Sequence, residues 1–279
     1  MADPALPTAV SILAVFAAAL IVAIIVSWRS TPYPFWQYLL HEVNRFFAQI
    51  LWRGEVVGSI DLPRTQGAVI VSNHSSGIDP LLIQLSTGMR IVHWMVAKEY
   101  FYMPVFSIIF KKMQSIPVNR GGIDTAATKM AIRYAQEGGL VGLFPEGRVN
   151  TTDDLLLPGR PGAALIALHA KVPVIPVYVE GLPYDGTALG SFFMSGKARV
   201  TIGKPIDLTP FYGRDSEKEV LQELTILFLE EIAKLAGCET FEAQLAGRQW
   251  KPGQENASQN GDSESAETPT GRLVNGRVS

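Results

Sequence analysis

The longest uniformly apolar stretch of the chain lies near its start. Residues Thr8 to Val26 contain no charged side chain, and this length is close to the roughly 20 residues that a helix needs to cross a bilayer. A secretory signal peptide would carry basic residues before the apolar run, whereas the only early charge here is Asp3. The pattern predicts an N-terminal transmembrane anchor over residues 1–30. A buried core helix is the alternative, although such helices rarely run so long without a polar face.

The next segment mixes aromatic and polar residues. It follows Pro32 and Pro34 and reads FWQYLLHEVNRFFAQILW, from Phe35 to Trp52. Tryptophan and tyrosine favour the boundary between membrane and water, and amphipathic helices lie in that zone. We therefore predict an amphipathic interfacial helix over residues 31–56. Packing of the same helix on the core of the following domain is an equally open alternative.

From Ala68 onward, short β-rich runs alternate with helical ones. Strands are predicted in AVIVSN, IVHWMVA, QSIPVN, GLVGLF, VPVIPVYVEG and ARVTIG. Helices are predicted in DPLLIQLS, Phe101 to Lys112, DTAATKMAIRYAQE, PGAALIALHA and Glu217 to Leu235. This alternation predicts an α/β domain over residues 57–250, with a mixed, largely parallel central sheet flanked by helices. Residues 251–279 are poor in large apolar side chains and are predicted to be disordered.

Charge and cysteine content narrow the class of protein. The formal net charge of -2 provides no basic field for a nucleic-acid partner. Cys238 is the only cysteine, which excludes an intramolecular disulfide and a multi-cysteine metal site. No histidine has a partner at metal-ligand spacing, so no metal site is predicted. Arg29, Arg45 and Arg53 follow the apolar run, and positive residues favour the cytoplasmic side of a membrane. The pattern predicts a single-pass protein whose C-terminal bulk faces the cytoplasm.

A histidine and an aspartate follow the first predicted strand of the domain. In VSNHSSGIDP, His74 and Asp79 are five residues apart, so they cannot share a helix face and can meet only across a turn. The residues between them include two serines and a glycine, which form turns readily. Asp79 followed by Pro80 also matches the N-cap and first position of a helix. Taken alone, the pair therefore has a plain structural explanation.

Three further fragments lie at the ends of predicted strands, where the loops of an open α/β sheet converge on ligands. They read IPVNRGG, FPEGRVN and VPVIPV. Together with NHSSGID, and in this order, they resemble the four blocks of the glycerolipid acyltransferase family, whose best-known members are lysophosphatidic acid acyltransferases. The first block matches the NHxxxxD signature in every fixed position. The third departs from the usual FPEGTR, because Arg148 and Val149 follow the glycine, as in tafazzin-like transacylases.

The resemblance implies transfer of a fatty acyl group from acyl-CoA or acyl-carrier protein to the sn-2 hydroxyl of lysophosphatidic acid, with membrane lipids as partners and no cofactor besides the donor. The catalytic domain would lie on the cytoplasmic side. An alcohol is a poor nucleophile at neutral pH, and histidine is a suitable base to take its proton. We expect His74 to be this base and Asp79 to orient it. Substrate binding is expected to involve Asn73, Arg120, Glu146, Gly147 and Arg148.

Other functions remain open. The acceptor could be another lysophospholipid or an aminolipid, the protein could release the fatty acid to water as a hydrolase, or it could be a catalytically silent membrane protein that binds lipids. Two motifs are excluded. No GxSxG is present, and GSFFMSGKA, Gly190 to Ala198, has the wrong spacing for a phosphate-binding loop.

Overall fold

The computed structural model of the chain describes residues 5–119 and 124–247. Its helices are α1 (Ala5–Arg29), α2 (Phe35–Ile50), α3 (Asp79–Leu85), α4 (Lys98–Phe101), α5 (Pro104–Lys112), α6 (Thr125–Gln136), α7 (Gly162–Ala170), α8 (Ala188–Phe193) and α9 (Lys218–Leu235), with a short 3-10 helix at Thr209–Phe211. Its strands are β1 (Glu55–Val57), β2 (Ala68–Ser72), β3 (Val92–Ala97), β4 (Ile116–Val118), β5 (Leu140–Leu143), β6 (Val174–Glu180) and β7 (Arg199–Ile202).

The strands form one sheet in the order β1-β7-β6-β2-β5-β3-β4. Every neighbouring pair is parallel except β6 and β7, which run antiparallel. This is the mixed, largely parallel sheet that the alternating pattern predicts. Because β2 lies between β5 and β6, the loops that leave these three strands emerge side by side at one edge of the sheet.

Helices cover both faces of the sheet. All five residues of β2 are buried, as expected for a strand that contacts side chains on both sides. On one face, α6, α7 and α9 supply the small and branched residues of the larger core cluster. On the other face, α3 packs with the end of α2 and with Trp52, which is fully buried. The domain therefore has two apolar layers, one on each side of the sheet.

The first helix packs against no part of the domain along its apolar length. Within the described ranges, α1 is the one helix with the length and apolarity to cross a membrane, over Ala9–Arg29, and none of this apolar stretch is buried. Aromatic contacts close the turn that follows it. The indole N–H of Trp28 donates to the carbonyl of Tyr33 at 3.0 Å, and the Trp28 ring lies edge-on to Phe35.

The second helix has two different faces. Tyr38, Asn44 and Ala48 are buried, and the Asn44 amide donates to the Leu81 carbonyl of α3 at 2.7 Å. The opposite face exposes large apolar residues at helical spacing, namely Trp36, Leu39, Val43, Phe46 and Ile50. One face of α2 thus packs on the domain, and the other leaves an apolar stripe uncovered.

Some local elements differ from the sequence prediction. The helix predicted from Phe101 to Lys112 is divided into α4 and α5, because Pro104 begins a new helix and Met103 before it is extended. Asp79 is the first residue of α3 and does not cap it, since Ile78 occupies the N-cap and no side chain bonds there. The short elements β1 and α8 were not predicted. The tail predicted to be disordered, residues 251–279, lies outside the described residues.

We predict that Gly142→Ala destabilises the domain. Gly142 pairs with Trp94 of the neighbouring strand, and a Cβ at this glycine would lie 2.6 Å from Val92 and 2.7 Å from the Trp94 ring. Overpacking of this kind costs about 1–3 kcal/mol, which denaturant unfolding in detergent would measure. Gly162→Ala is the matched control, because nothing lies within 4 Å of its added Cβ. Equal stability of the two variants would contradict the prediction.

Candidate active site

The loop after β2 is fixed to the neighbouring strand by Asn73. Its side-chain amide donates to the Val179 carbonyl at 2.8 Å and accepts from the Val179 N–H at 2.7 Å. Both polar atoms of this buried side chain are thus used by the backbone of β6. Asn73 therefore holds the start of the loop in place, and it also lines the cavity beside His74; its contact with substrate stays a prediction.

His74 and Asp79 meet across the turn. The Nδ1 atom of His74 lies 2.9 Å from Oδ2 of Asp79, whose side chain is fully buried. The same oxygen accepts the backbone N–H groups of Ser75 and Ser76, each at 2.8 Å. Since backbone N–H groups can only donate, Oδ2 is an acceptor toward the ring as well. Nδ1 therefore carries the ring proton, and Nε2 keeps a lone pair for a substrate proton.

Two aromatic rings support the imidazole from one side. The His74 ring stacks on Phe144 with centroids 3.8 Å apart and an angle of 5° between planes. Phe144 in turn stacks on Trp94 at 5.0 Å and 15°. The hydrogen bond to Asp79 and this stack together restrict the ring in both position and rotation. Phe144 is the first residue of the third sequence block and directly follows β5, so its proximity to the loop after β2 was within reach of sequence reasoning.

Glu146 links the third block to the loop of His74. One carboxylate oxygen accepts the backbone N–H of His74 at 2.7 Å, and the other accepts the N–H of Leu157 at 2.8 Å. Burial raises the pKa of Glu146 to about 7, against the lowering effect of these two hydrogen bonds; the nearby charge of Asp79 raises the pKa further. In this position Glu146 fixes the backbone of His74 and also lines the cavity beside it, so its contact with substrate stays a prediction.

Gly147 and Arg148 of the third block lie near a further arginine, Arg160. Gly147 has a φ of +73°, in the left-handed region that favours glycine. A Cβ at Gly147 would lie 3.4 Å from the side chain of Arg160, whose backbone N–H donates to Pro145 at 3.0 Å. Burial lowers the pKa of Arg160, and the nearby charge of Arg148 lowers it further. Arg160 was missed by sequence reasoning, because it lies outside the four blocks.

An open cavity of about 320 Å³ adjoins the histidine. The His74 side chain keeps 13% of its surface exposed and lines this cavity with Ser75, Glu146, Leu182 and three acidic residues, Asp153, Asp154 and Glu180. The imidazole is therefore reachable from outside. Arg120, the first candidate for headgroup binding, lies outside the described residues. Within the described ranges, no group of three or more His, Cys, Asp or Glu residues could hold a metal ion.

Comparison with known proteins identifies the family. A family model for acyltransferases matches residues 53–180. The 1-acyl-sn-glycerol-3-phosphate acyltransferase of Bacillus subtilis is 31% identical over 181 residues, which are 65% of this chain and 87% of that protein. The chain belongs to the 1-acyl-sn-glycerol-3-phosphate acyltransferase family.

Two further relatives and one solved structure extend this comparison. The human 1-acyl-sn-glycerol-3-phosphate acyltransferase beta is 31% identical over 54% of each chain. An N-acylphosphatidylethanolamine synthase of Arabidopsis thaliana is 32% identical over 39% of this chain and 41% of its own length. The crystal structure of a 1-acyl-sn-glycerophosphate acyltransferase from Thermotoga maritima has the same fold, with a TM-score of 0.58, 22% identity and coverage of 82% of this chain and 94% of that one.

We predict that Phe144→Leu lowers kcat about two- to tenfold and leaves KM for acceptor and donor nearly unchanged, because stacked rings contribute about 0.5–1.5 kcal/mol. Steady-state acylation assays would measure this split. Phe144→Tyr keeps the stacking ring and should act like the wild type. In NMR spectra, the leucine variant should also lose the ring-current shift on the His74 protons. A tyrosine variant as impaired as the leucine variant would contradict a role for the stack.

The pKa of Glu146 predicts a pH-dependent stability. Its folded-state pKa of about 7 lies above its usual 4.5, so the folded protein holds this proton more tightly than the unfolded chain. The stabilisation is complete below pH 4.5 and is lost as the pH rises through 7. From the size of the shift, the wild type should lose about 3 kcal/mol of unfolding free energy across this window relative to Glu146→Gln. Denaturant unfolding at pH 5 and pH 8 measures the difference, and parallel behaviour of the two proteins would contradict it.

Proposed function

We propose that this acyltransferase moves a fatty acyl group from acyl-CoA or acyl-carrier protein to the sn-2 hydroxyl of lysophosphatidic acid, giving phosphatidic acid for phospholipid biosynthesis. The observation that carries the proposal is the buried Asp79 carboxylate, which leaves Nε2 of His74 as an acceptor at an open cavity. The activity named for the relatives supports this choice of acceptor.

In the proposed reaction His74 acts first as base and then as acid. Nε2 takes the proton of the acceptor hydroxyl while its oxygen attacks the thioester carbonyl and forms the new C–O bond. The Asp79 carboxylate stabilises the imidazolium that results. When the tetrahedral intermediate collapses, the C–S bond breaks and the imidazolium returns the proton to the leaving thiolate. The thioester supplies the activated acyl group, so the step needs no further cofactor.

The headgroup phosphate is proposed to lie against the arginines of the second and third blocks. Arg120 and Arg148 are the candidates for direct contact, since a planar guanidinium can bind two phosphate oxygens at once. Gly147 lacks a side chain that would obstruct a headgroup next to Arg148. Asn73 and Glu146 line the same cavity and are proposed to contact the acceptor there, while their side chains also hold the backbone of the loops.

The membrane supplies the acceptor in this proposal. An exposed apolar helix of this length suits membrane association, and we propose that α1 crosses the bilayer once. Arg29, Arg45 and Arg53 follow the span, and their positive charge supports a catalytic domain on the cytoplasmic side. The exposed stripe of α2 then lies in the interface. Each buried CH₂ of an acyl chain contributes roughly 0.8 kcal/mol, so a catalytic site at the membrane avoids extraction of the lipid into water.

The charge of the cavity favours a second acceptor class. Asp153, Asp154 and Glu180 line it beside His74, and no lysine or arginine is among the residues that line it in the described part of the chain. Carboxylates attract an ammonium group, so a lysophospholipid with an amine in its headgroup, or an aminolipid, also fits. The relative named for phosphatidylethanolamine supports keeping this alternative.

The deciding experiment supplies the purified protein with labelled acyl-CoA or acyl-carrier protein and a panel of lysolipids, and identifies the products. We expect labelled phosphatidic acid from lysophosphatidic acid. Faster acylation of an amine-bearing lysolipid or aminolipid would show that this lipid, and not lysophosphatidic acid, is the acceptor. Release of labelled free fatty acid at saturating acceptor would indicate a hydrolase.

We predict that His74→Ala lowers the acylation rate about 10²- to 10⁴-fold, because general-base catalysis is worth that much. The matched control is His169→Ala. His169 lies at the end of α7, pairs with Asp215 at the surface and contributes nothing to the site. An acylation rate unchanged by His74→Ala would rule out His74 as the base, whereas a wild type that acylates no lysolipid would indicate a silent lipid-binding protein.

A further inference from the structure

A short exposed segment links the catalytic edge of the sheet to the membrane-side helices. The stretch GSFFMSGKA, excluded above as a phosphate-binding loop, forms the end of α8 and the turn into β7. Phe193 exposes 64% of its surface and Met194 exposes 39%. Large apolar side chains in this position are costly in water and suggest that a partner covers them.

Backbone and ring contacts join this segment to the end of α2. The N–H of Gly196 donates to Leu51 at 3.0 Å, and the N–H of Ala198 donates to Trp52 at 2.9 Å. The Phe192 ring lies 4.3 Å from the ring of Phe47 on α2, centroid to centroid. The segment is therefore held next to α2 by contacts at three successive points.

The exposed Phe193 reaches the apolar stripe of α2 through Phe47. Phe193 lies edge-on to Phe47 at 6.2 Å, ring to ring, and Phe47 in turn lies 5.7 Å from Phe46 of the exposed stripe. Phe192 packs into the core layer that holds α2 and α3. This layer lies on the face of the sheet opposite to α6. The apolar stripe of α2 thus continues onto the segment on one side of the domain.

Basic residues border this apolar surface. Arg53, Lys197 and Arg199 line a shallow depression of about 530 Å³ with Glu55 and Glu180. Arg199 is paired with Glu55 at 2.9 Å. In this segment aromatic residues are followed by lysine and arginine, and no acidic residue lies between Phe192 and Arg199. This pattern is typical of surfaces that insert apolar side chains among anionic headgroups.

We propose that the segment from Phe192 to Arg199 is a second membrane-contacting element, which docks beside α2 on a leaflet that contains anionic phospholipid. This inference rests on the membrane association of the proposed function and adds a partner surface to it. Phe193 and Met194 enter the interface, and Lys197 contacts the headgroups.

The connection that carries this segment also contacts the cavity of His74. Leu182, at the start of the same connection between β6 and β7, lines the cavity of His74. The hydroxyl of Ser76, in the catalytic loop, donates to Pro183 at 2.7 Å. Contact of the segment with the leaflet would therefore hold the mouth of the cavity close to the lipid acceptor.

Site-directed spin labels on the full chain test the docking directly. The label is placed at Phe193→Cys in a Cys238→Ser background, and the protein is reconstituted in vesicles of phosphatidylglycerol and phosphatidylcholine. We expect the label to be accessible to oxygen dissolved in lipid and protected from an aqueous nickel chelate, as at Trp36→Cys on α2. Lys129→Cys on α6, on the opposite face of the sheet, is the aqueous control.

Three outcomes overturn the proposal. The label at position 193 could behave like the label on α6, which would place the segment in water. It could be protected from both reagents, which would indicate cover by protein such as a second copy of the chain. Its accessibility could also be unchanged in vesicles of phosphatidylcholine alone and after Lys197→Glu, whereas we expect both changes to lower the contact with lipid.

A kinetic test separates docking from catalysis. Phe193→Asp should lower the rate on a vesicle-embedded lysophosphatidic acid several-fold and leave the rate on a short-chain, water-soluble analogue unchanged. Met89→Asp is the control, because Met89 is exposed but precedes β3, at the opposite edge of the sheet. Equal loss on both acceptors, or no loss on vesicles, contradicts the proposal. If the wild-type protein acylates no acceptor, the proposed function is wrong, whereas the spin-label result still tests the docking of the segment.

Discussion

The buried carboxylate of Asp79 organises the loop on which the active site depends. One of its oxygens accepts two backbone N–H groups and faces the ring of His74. A single acceptor thus shapes the turn, orients the imidazole and decides which nitrogen holds the proton. Glu146 has a comparable effect from the loop that follows β5, where it accepts the backbone N–H of His74. The imidazole proposed as the base is therefore positioned by the protein itself, before any substrate is present.

The order of the strands makes these contacts possible. Because β2 lies between β5 and β6, its loop is flanked by the third block on one side and by the end of β6 on the other. Asn73 bonds to β6 and Phe144 stacks on His74 from β5. Side chains that are held from three strands have little freedom to move, which suits a reaction that is sensitive to displacements of about 1 Å.

The same architecture gives the two faces of the domain different surroundings. The core layer with α2 and α3 lies on one face of the sheet, and the layer with α6, α7 and α9 lies on the other. Only the first layer adjoins the exposed apolar stripe of α2 and the anchor helix. The loops that carry His74 and the third block leave the sheet between these two layers, so the cavity of His74 opens where both layers end.

The sequence by itself determined the features that depend on local pattern. The uncharged run predicts α1, the alternation of short apolar runs predicts the α/β sheet, and the spacing of His74 and Asp79 predicts that they meet across a turn. Buried positions recur with the period of a helix or a strand, so these features can be predicted from the sequence before the fold is known. The exceptions are also local, since Pro104 divides a predicted helix and Asp79 bonds backward to the loop in place of capping α3.

Only the tertiary structure decided the roles that depend on distant partners. The side chains of Asn73 and Glu146, which are predicted to bind substrate, also bond to backbone 106 and 72 residues away, which the sequence could not indicate. The Trp94 support of the ring stack and the proximity of Arg160 to Gly147 likewise follow from which strands are neighbours. Local periodicity specifies which side chains are buried, but only the order of the strands determines which of them meet.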